Sequence, residues 1–173
     1  MNTLILGGVR SGKSRLAETL ALQTGHRVTY IATASGDDEA MTARIALHRE
    51  RRPAQWSNVE EKIHLARAIE SHADDDTCLL IDCLSLWLTN LLLLEDNALL
   101  VAETDALLAR LANPRGEVIM VSSESNMGVI PMGELSRRYC DLIGSLHQQV
   151  ASVSTRVILT VAGLPHTLKG EQL

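Results

Sequence analysis

The residues of this chain that are most suited to chemistry stand near its start, in a short segment rich in glycine. The segment reads Gly7-Gly8-Val9-Arg10-Ser11-Gly12-Lys13-Ser14. It fits the phosphate-loop pattern, in which glycines let backbone N–H groups turn inward around phosphate oxygens and a following helix adds a favourable dipole. Lys13 is expected to reach the β- and γ-phosphates of a nucleoside triphosphate, and the Ser14 hydroxyl to bind Mg²⁺.

A second candidate ligand of the metal is Asp82, which ends the apolar run Leu79-Leu80-Ile81. Ligands of open α/β sheets bind at the carboxyl ends of the strands, so a carboxylate at this position can support the Mg²⁺ held by Ser14. The alternative is that Asp82 caps a helix that begins near Leu84. The metal-binding role is favoured here.

The strongest cluster of charge is the basic run from Arg44 to Arg52. Arg44, His48 and Arg52 follow one another at intervals of four residues, which places them on one face of a helix. Neighbouring arginines disfavour a protonated His48, and a neutral imidazole can attack phosphorus while guanidinium groups hold the phosphates. Spacing alone nevertheless favours a solvated basic helix with an incidental histidine. No chemistry is assigned to the other histidines, which are His26, His64, His72, His147 and His166.

The composition limits what else the protein can do. Its 173 residues carry a net charge of −5, which argues against a general surface for nucleic acid or an anionic membrane. With 46% hydrophobic residues and no phenylalanine, the chain is expected to form an aliphatic core in a single domain, 1–173. Cys78, Cys83 and Cys140 lack metal-ligand spacing and are expected to be reduced thiols of a cytoplasmic protein.

These candidate residues must be positioned by alternating strands and helices. Short apolar runs predict strands at 3–6, 27–31, 77–81, 118–121 and 157–161. Helical spacing predicts helices at 13–23, 37–50, 60–72, 84–94, 98–111 and 133–152. Strands that are apolar on both faces predict a parallel sheet covered by helices on both sides. The apolar stretch 78–94 is read as a strand and a helix, because Asp82 and Asn90 interrupt it, and neither a membrane span nor a signal peptide is expected.

Further runs, taken together, resemble a known family. With the phosphate loop, the runs cover almost the whole chain in order, and Arg-Ile-x-x-His-Arg-x-x-Arg-Pro is far more specific than the loop. They resemble the bifunctional adenosylcobinamide kinase / adenosylcobinamide-phosphate guanylyltransferase of cobalamin biosynthesis. The runs are Tyr30-Ile31-Ala32-Thr33-Ala34, Met41-Thr42-Ala43-Arg44-Ile45, His48-Arg49, Arg52-Pro53-x-x-Trp56 with Glu60, Leu80-Ile81-Asp82-Cys83-Leu84, Thr89-Asn90-Leu91-Leu92, Met127-Gly128-Val129-Ile130-Pro131 and Asp141-Leu142-Ile143-Gly144.

The resemblance implies an enzyme with two steps. ATP or GTP first phosphorylates the aminopropanol hydroxyl of adenosylcobinamide. GTP then donates GMP to a histidine with release of pyrophosphate, and the GMP passes to adenosylcobinamide phosphate to give adenosylcobinamide-GDP. A cytosolic homotrimer and a P-loop fold of three layers, with a mostly parallel, RecA-like central sheet, are implied as well.

The resemblance also assigns roles to particular residues. His48 matches the histidine that carries GMP, which reverses the preference drawn from spacing alone. The residues implied to contact the nucleotide are Gly7, Gly8, Val9, Arg10, Ser11, Gly12, Lys13, Ser14, Ala32, Thr33, Ala34, Arg49, Glu50, Arg51, Arg52, Glu60 and Asp82.

The chain departs from the family pattern at two places. Where the family usually has Asn-Glu-Val-Gly, this chain has Ser123-Glu124-Ser125-Asn126 and keeps only the glutamate, and His147 stands where an asparagine is usual. The departures concern substrate contacts and the balance of the two activities. Two other classes of function remain as alternatives: a kinase of a small metabolite, and a non-catalytic NTP-binding or GTPase switch module.

Overall fold

The computed structural model describes residues 1–34 and 53–172. The predicted helix at 37–50 lies outside these residues. The elements within them are β1 (Asn2–Gly7), α1 (Lys13–Gln23), β2 (Arg27–Ala32), β3 (Ser57–Glu60), α2 (Leu65–His72), β4 (Thr77–Asp82), α3 (Leu84–Leu93), α4 (Asn97–Ala112), β5 (Glu117–Ser123), α5 (Glu134–Val153), β6 (Arg156–Val161) and β7 (Leu164–Lys169).

All of these strands belong to one sheet, in the order β3-β2-β4-β5-β1-β6-β7. The first six in this order are parallel, and only β7 runs antiparallel, to β6. The central strands β1, β4 and β5 are almost wholly buried, as expected for strands that are apolar on both faces. The predicted mostly parallel sheet is therefore confirmed.

The core is divided by the sheet into two layers. Alternate side chains of a strand point to opposite faces, so Leu4 and Leu6 of β1 join one apolar cluster and Ile5 joins the other. Helices α2 to α5 pack on the first face around Trp87, while α1 and Trp56 pack on the second. The two faces together make the three-layer arrangement that the sequence predicted.

Two strands were not predicted, and one helix begins later than predicted. β3 and β7 form the edges of the sheet and are mostly exposed, so their sequences lack the apolar pattern of a buried strand. Glu60 ends β3, and the helix predicted from residue 60 begins only at Leu65. The Glu61 carboxylate accepts hydrogen bonds from the N–H groups of Ile63 and His64 at 2.9 and 2.8 Å, which delays the helix.

The apolar stretch 78–94 forms β4 and α3, as predicted. Within the described ranges, no helix combines the length and apolar character needed to cross a bilayer. All three cysteines are free thiols. Burial raises the pKa of Cys78 to about 12 and that of Cys83 to about 11, so both thiols pack as small apolar groups.

Candidate nucleotide-binding site

The phosphate loop connects β1 to α1, in the strand-loop-helix setting that the motif requires. Gly12 occupies the N-cap position of α1 in the left-handed conformation, with φ at 97°. Within the loop, Ser11 N–H donates to the Gly8 carbonyl at 3.2 Å. The Lys13 side chain is 7% exposed, and its Nζ donates to the same carbonyl at 3.0 Å. The lysine is thus held inside the loop, where an incoming phosphate can take over from the carbonyl.

Two of the loop glycines are required by their surroundings. A Cβ on Gly7 would lie 2.4 Å from Ser11 Oγ and 2.6 Å from the Thr160 carbonyl oxygen. A Cβ on Gly12 would lie 3.1 Å from the Cα of Gly163, at a φ that disfavours any side chain. Gly8 has open space around it. The first and last glycines therefore set the shape of the loop.

A neighbouring turn supports the loop from outside. Gly163, between β6 and β7, donates its backbone N–H to the Ser11 carbonyl at 2.8 Å. This hairpin was not predicted at the site, because the sequence of β7 lacks the apolar pattern of a buried strand. The available signal for a turn was Gly163, which follows the apolar run of β6 and adopts a positive φ.

Asp82 ends β4, as predicted, and its side chain is held in place by β2. Its Oδ2 accepts a hydrogen bond from the Tyr30 hydroxyl at 2.8 Å. Cys83, not Asp82, occupies the N-cap position of α3, and no side-chain hydrogen bond caps that helix. The alternative role of Asp82 as a helix cap is therefore not supported.

The strand register places further predicted residues side by side at the carboxyl ends of the strands. Ala32 is paired with Asp82 on one side and with Glu60 on the other. Thr33 follows directly, and its hydroxyl accepts from Cys83 N–H at 2.8 Å and donates to the Cys83 carbonyl at 2.7 Å. Asn90 of α3 donates to the Thr33 carbonyl at 2.8 Å. This network holds the segment 32–34 beside Asp82.

The residues predicted to carry the covalent chemistry are not described by the structure. His48 and its neighbours Arg44, Arg49, Glu50, Arg51 and Arg52 all lie within 35–52. Their predicted roles are neither supported nor contradicted by the fold.

The predicted metal ligands, Ser14 and Asp82, are of a chemical type suited to Mg²⁺. In 1–34 and 53–172, no group of three or more His, Cys, Asp or Glu side chains comes together as a metal site. The candidates Ser14 and Asp82 both offer oxygen atoms, the donors that Mg²⁺ prefers, and Mg²⁺ in nucleotide sites takes most of its ligands from phosphates and water. Few protein ligands are therefore needed, and the two residues fit such an ion.

A polar group at the end of β5 includes Glu124 and His147, to which the sequence pattern assigned no role of their own. Glu124 follows β5 directly, and its N–H donates to the Gly7 carbonyl at 3.0 Å. Its carboxylate faces His147 of α5, whose other ring nitrogen is 2.7 Å from the Ser122 hydroxyl. Burial lowers the pKa of His147, and the nearby Glu124 carboxylate opposes that shift. The signal in the sequence was a carboxylate directly after a buried strand, as for Asp82.

Solved structures with the same architecture include the RadB recombinase. It is 18% identical, with a TM-score of 0.53, and the match covers 91% of this chain and 73% of that one. A Pyrococcus horikoshii protein, PH0250, is 8% identical with a TM-score of 0.57, and the match covers 99% of this chain and 87% of that one. At these identities the likeness concerns the fold alone, and it confirms the predicted RecA-like α/β fold.

Sequence comparisons identify the family. A family model described as cobinamide kinase / cobinamide phosphate guanyltransferase matches residues 3–168. The bifunctional adenosylcobalamin biosynthesis protein CobP of Pseudomonas aeruginosa is 56% identical over 173 residues, and the match covers 100% of both chains. The protein CobU of Escherichia coli, described in the same words, is 34% identical over 182 residues, which cover 98% of this chain and 100% of CobU. The chain therefore belongs to the cobinamide kinase / cobinamide phosphate guanyltransferase family.

Proposed function

We propose that this protein carries out two consecutive reactions of cobalamin biosynthesis. It phosphorylates adenosylcobinamide with ATP or GTP, and it then transfers GMP from GTP to adenosylcobinamide phosphate. The observation that carries the proposal is the match to bifunctional relatives along the whole chain. The phosphate loop agrees with it, because Lys13 is already held inside the loop by the Gly8 carbonyl.

The phosphate loop serves both reactions by holding the triphosphate. The backbone N–H groups of 8–13 and the Lys13 ammonium bind the β- and γ-phosphates, and the helix dipole of α1 favours their charge. Ser14 and Asp82 would hold Mg²⁺, which would neutralise part of the phosphate charge. The Tyr30 hydroxyl supports this arrangement by orienting the Asp82 carboxylate.

The second reaction uses His48 as the nucleophile. A ring nitrogen attacks the α-phosphorus of GTP, the bond to the bridging oxygen of the β-phosphate breaks, and pyrophosphate leaves. A phosphate oxygen of adenosylcobinamide phosphate then attacks the same phosphorus and frees His48. Arg49, Arg51 and Arg52 stabilise the charge on the phosphates, and the remaining predicted contacts to GTP come from Glu50, Glu60 and the segment 32–34.

We also propose the location, oligomeric state and domain organisation of the enzyme. The family resemblance supports a cytoplasmic homotrimer. One sheet joins β1 at the start of the chain to β7 near its end, which supports a single domain spanning 1–173. Analytical ultracentrifugation of the purified protein tests the trimer, and a species at the mass of one chain would contradict it.

Product analysis tests the two reactions. The protein is incubated with GTP labelled at the α-phosphate, with and without adenosylcobinamide. Wild type is expected to become labelled and to form adenosylcobinamide-GDP. His48→Ala is expected to phosphorylate adenosylcobinamide but to take up no label, and His26→Ala, at a partly exposed histidine, serves as the matched control. Equal labelling of wild type and His48→Ala would refute the proposed intermediate.

A further inference from the structure

Glu124 lies directly beside the start of the phosphate loop. The ladder between β1 and β5 pairs Gly7 with Ser123, and the hydrogen bond from Glu124 N–H to the Gly7 carbonyl extends it by one step. The backbone therefore leaves the sheet at Glu124, beside the residue where the phosphate loop begins. The Glu124 side chain is 15% exposed, so a largely dry carboxylate belongs to a residue whose backbone adjoins the loop.

A chain of buried polar groups runs behind this carboxylate. Ser123 N–H donates to Ser85 Oγ at 2.6 Å, and Ser85 Oγ lies 3.0 Å from Ser122 Oγ. Ser122 Oγ lies 2.7 Å from His147 Nε2, and His147 Nδ1 lies 3.5 Å from Glu124 Oε2. A hydrogen on Nδ1 is favoured, because a bare nitrogen lone pair would face the carboxylate. Nε2 of the neutral ring then accepts from the Ser122 hydroxyl, which in turn accepts from Ser85.

His147 Nδ1 faces Glu124 from 3.5 Å, a contact longer than a normal hydrogen bond, and carries no full positive charge. Burial keeps the pKa of His147 below its usual value, so the ring is neutral at pH 7. Glu124 Oε1 accepts the Asn126 N–H at 2.8 Å. Each carboxylate oxygen still has a lone pair available, since a carboxylate accepts about four hydrogen bonds.

A cavity that could receive an acceptor molecule lies next to Glu124 in the chain. A cavity of about 370 Å³ begins at the residues that follow Glu124, with Ser125 and Asn126 on one wall and Arg137 and Asp141 of α5 on another. The adjoining segment exposes apolar side chains, including Val129 at 97% and Met132 at 93%. The cavity thus lies next in sequence to Glu124, and its lining suits a bulky, partly apolar alcohol.

We propose that Glu124 is the general base of the phosphorylation step and that His147 positions its carboxylate. The inference rests on the proposed function. The hydroxyl oxygen of the acceptor attacks the γ-phosphorus, and the bond from that phosphorus to the β,γ-bridging oxygen breaks. The hydroxyl proton passes to Glu124 and is later released to water. The products are the phosphate ester and the nucleoside diphosphate, and guanylylation of His48 does not use Glu124.

Glu124→Gln tests the base, because it keeps the shape of the side chain and removes the proton acceptor. Its kcat for phosphorylation of adenosylcobinamide is expected to fall by about 10²- to 10⁴-fold. Nucleotide affinity and self-labelling from α-labelled GTP are expected to stay near wild type. Glu117→Gln, at the opposite end of β5, is the matched control and is expected to keep both activities.

Two variants of His147 test the positioning role. His147→Asn retains an N–H that can point at the carboxylate, while His147→Leu has none. We expect the leucine variant to lose roughly tenfold in kcat, with the KM for nucleotide unchanged, because it removes a polar N–H that faces the carboxylate from 3.5 Å. The asparagine variant is expected to retain most of the wild-type kcat. Equal loss in both variants would overturn the positioning role.

The outcomes separate this inference from the proposed function. A Glu124→Gln variant that phosphorylates adenosylcobinamide within about tenfold of wild type would overturn the inference alone. Loss of nucleotide binding and self-labelling in that variant, with an unchanged melting temperature, would also overturn it, since Glu124 would then belong to the nucleotide site. A wild-type protein that phosphorylates no adenosylcobinamide would overturn the proposed function and the inference with it.

Discussion

The Tyr30 hydroxyl donates a 2.8 Å hydrogen bond to Oδ2 of Asp82, across 52 positions of sequence. The two residues lie on the adjacent parallel strands β2 and β4. One carboxylate oxygen of Asp82 is thereby fixed in position at the end of β4. This contact makes β2 a support for the proposed metal ligand as well as a neighbour in the sheet.

Loss of this contact is expected to weaken catalysis more than folding. Tyr30→Phe removes one hydrogen bond to a charged group, at a cost of about 1.5–3 kcal/mol shared between stability and ligand binding. We expect the Mg²⁺ concentration needed for half-maximal phosphorylation to rise. Asp82→Asn, which removes the charge itself, is expected to raise it further. An unchanged Mg²⁺ dependence in both variants would contradict the role of Asp82.

Lys13→Ala is expected to weaken triphosphate binding and both activities. Lys13 is held inside the loop by the Gly8 carbonyl, and its loss removes a charged hydrogen bond to phosphate, roughly 10- to 100-fold in affinity. Titration calorimetry with a non-hydrolysable GTP analogue measures the change. The exposed Lys62→Ala is the control and should bind normally. Unchanged affinity in Lys13→Ala would count against its assigned role.

The glycines of the loop are expected to differ in their tolerance of alanine. Gly7→Ala places a methyl group 2.4 Å from Ser11 Oγ, and Gly12→Ala forces a side chain at φ 97°, a strain of about 1–2 kcal/mol before the clash with Gly163 is added. Both variants should melt at lower temperature than wild type. Gly8→Ala, whose Cβ meets open space, should melt near the wild-type temperature. A Gly8 variant as unstable as the other two would contradict this.

The three thiols are expected to react at different rates with a thiol reagent at pH 8. Burial raises the pKa of Cys78 to about 12 and of Cys83 to about 11, so both lack thiolate as well as access. Cys140 is only partly buried. Native protein should therefore show one fast thiol, which Cys140→Ser abolishes, and denatured protein should show all three. Rapid modification of two or more thiols in the native state would contradict the described packing.

Much of the site could be predicted because its signals are local. The phosphate loop is contiguous from Gly7 to Ser14, and Asp82 follows an apolar run that only a buried strand explains. The edge strands β3 and β7 escaped prediction because exposure removes the apolar pattern by which strands are recognised. His147 was set aside because its neighbours in sequence are unremarkable, whereas its neighbours in space are Ser122 and Glu124.

The sequence by itself determined the nucleotide chemistry, the family and the parallel sheet, since each depends on residue types at short or ordered spacing. Only the tertiary structure decided which side chains meet at the carboxyl edge. Strand order and register bring Glu124 to Gly7 and Tyr30 to Asp82, and the packing of α5 brings His147 to Glu124. These pairings arise from the burial of both sheet faces, a property of the whole chain that no single segment contains.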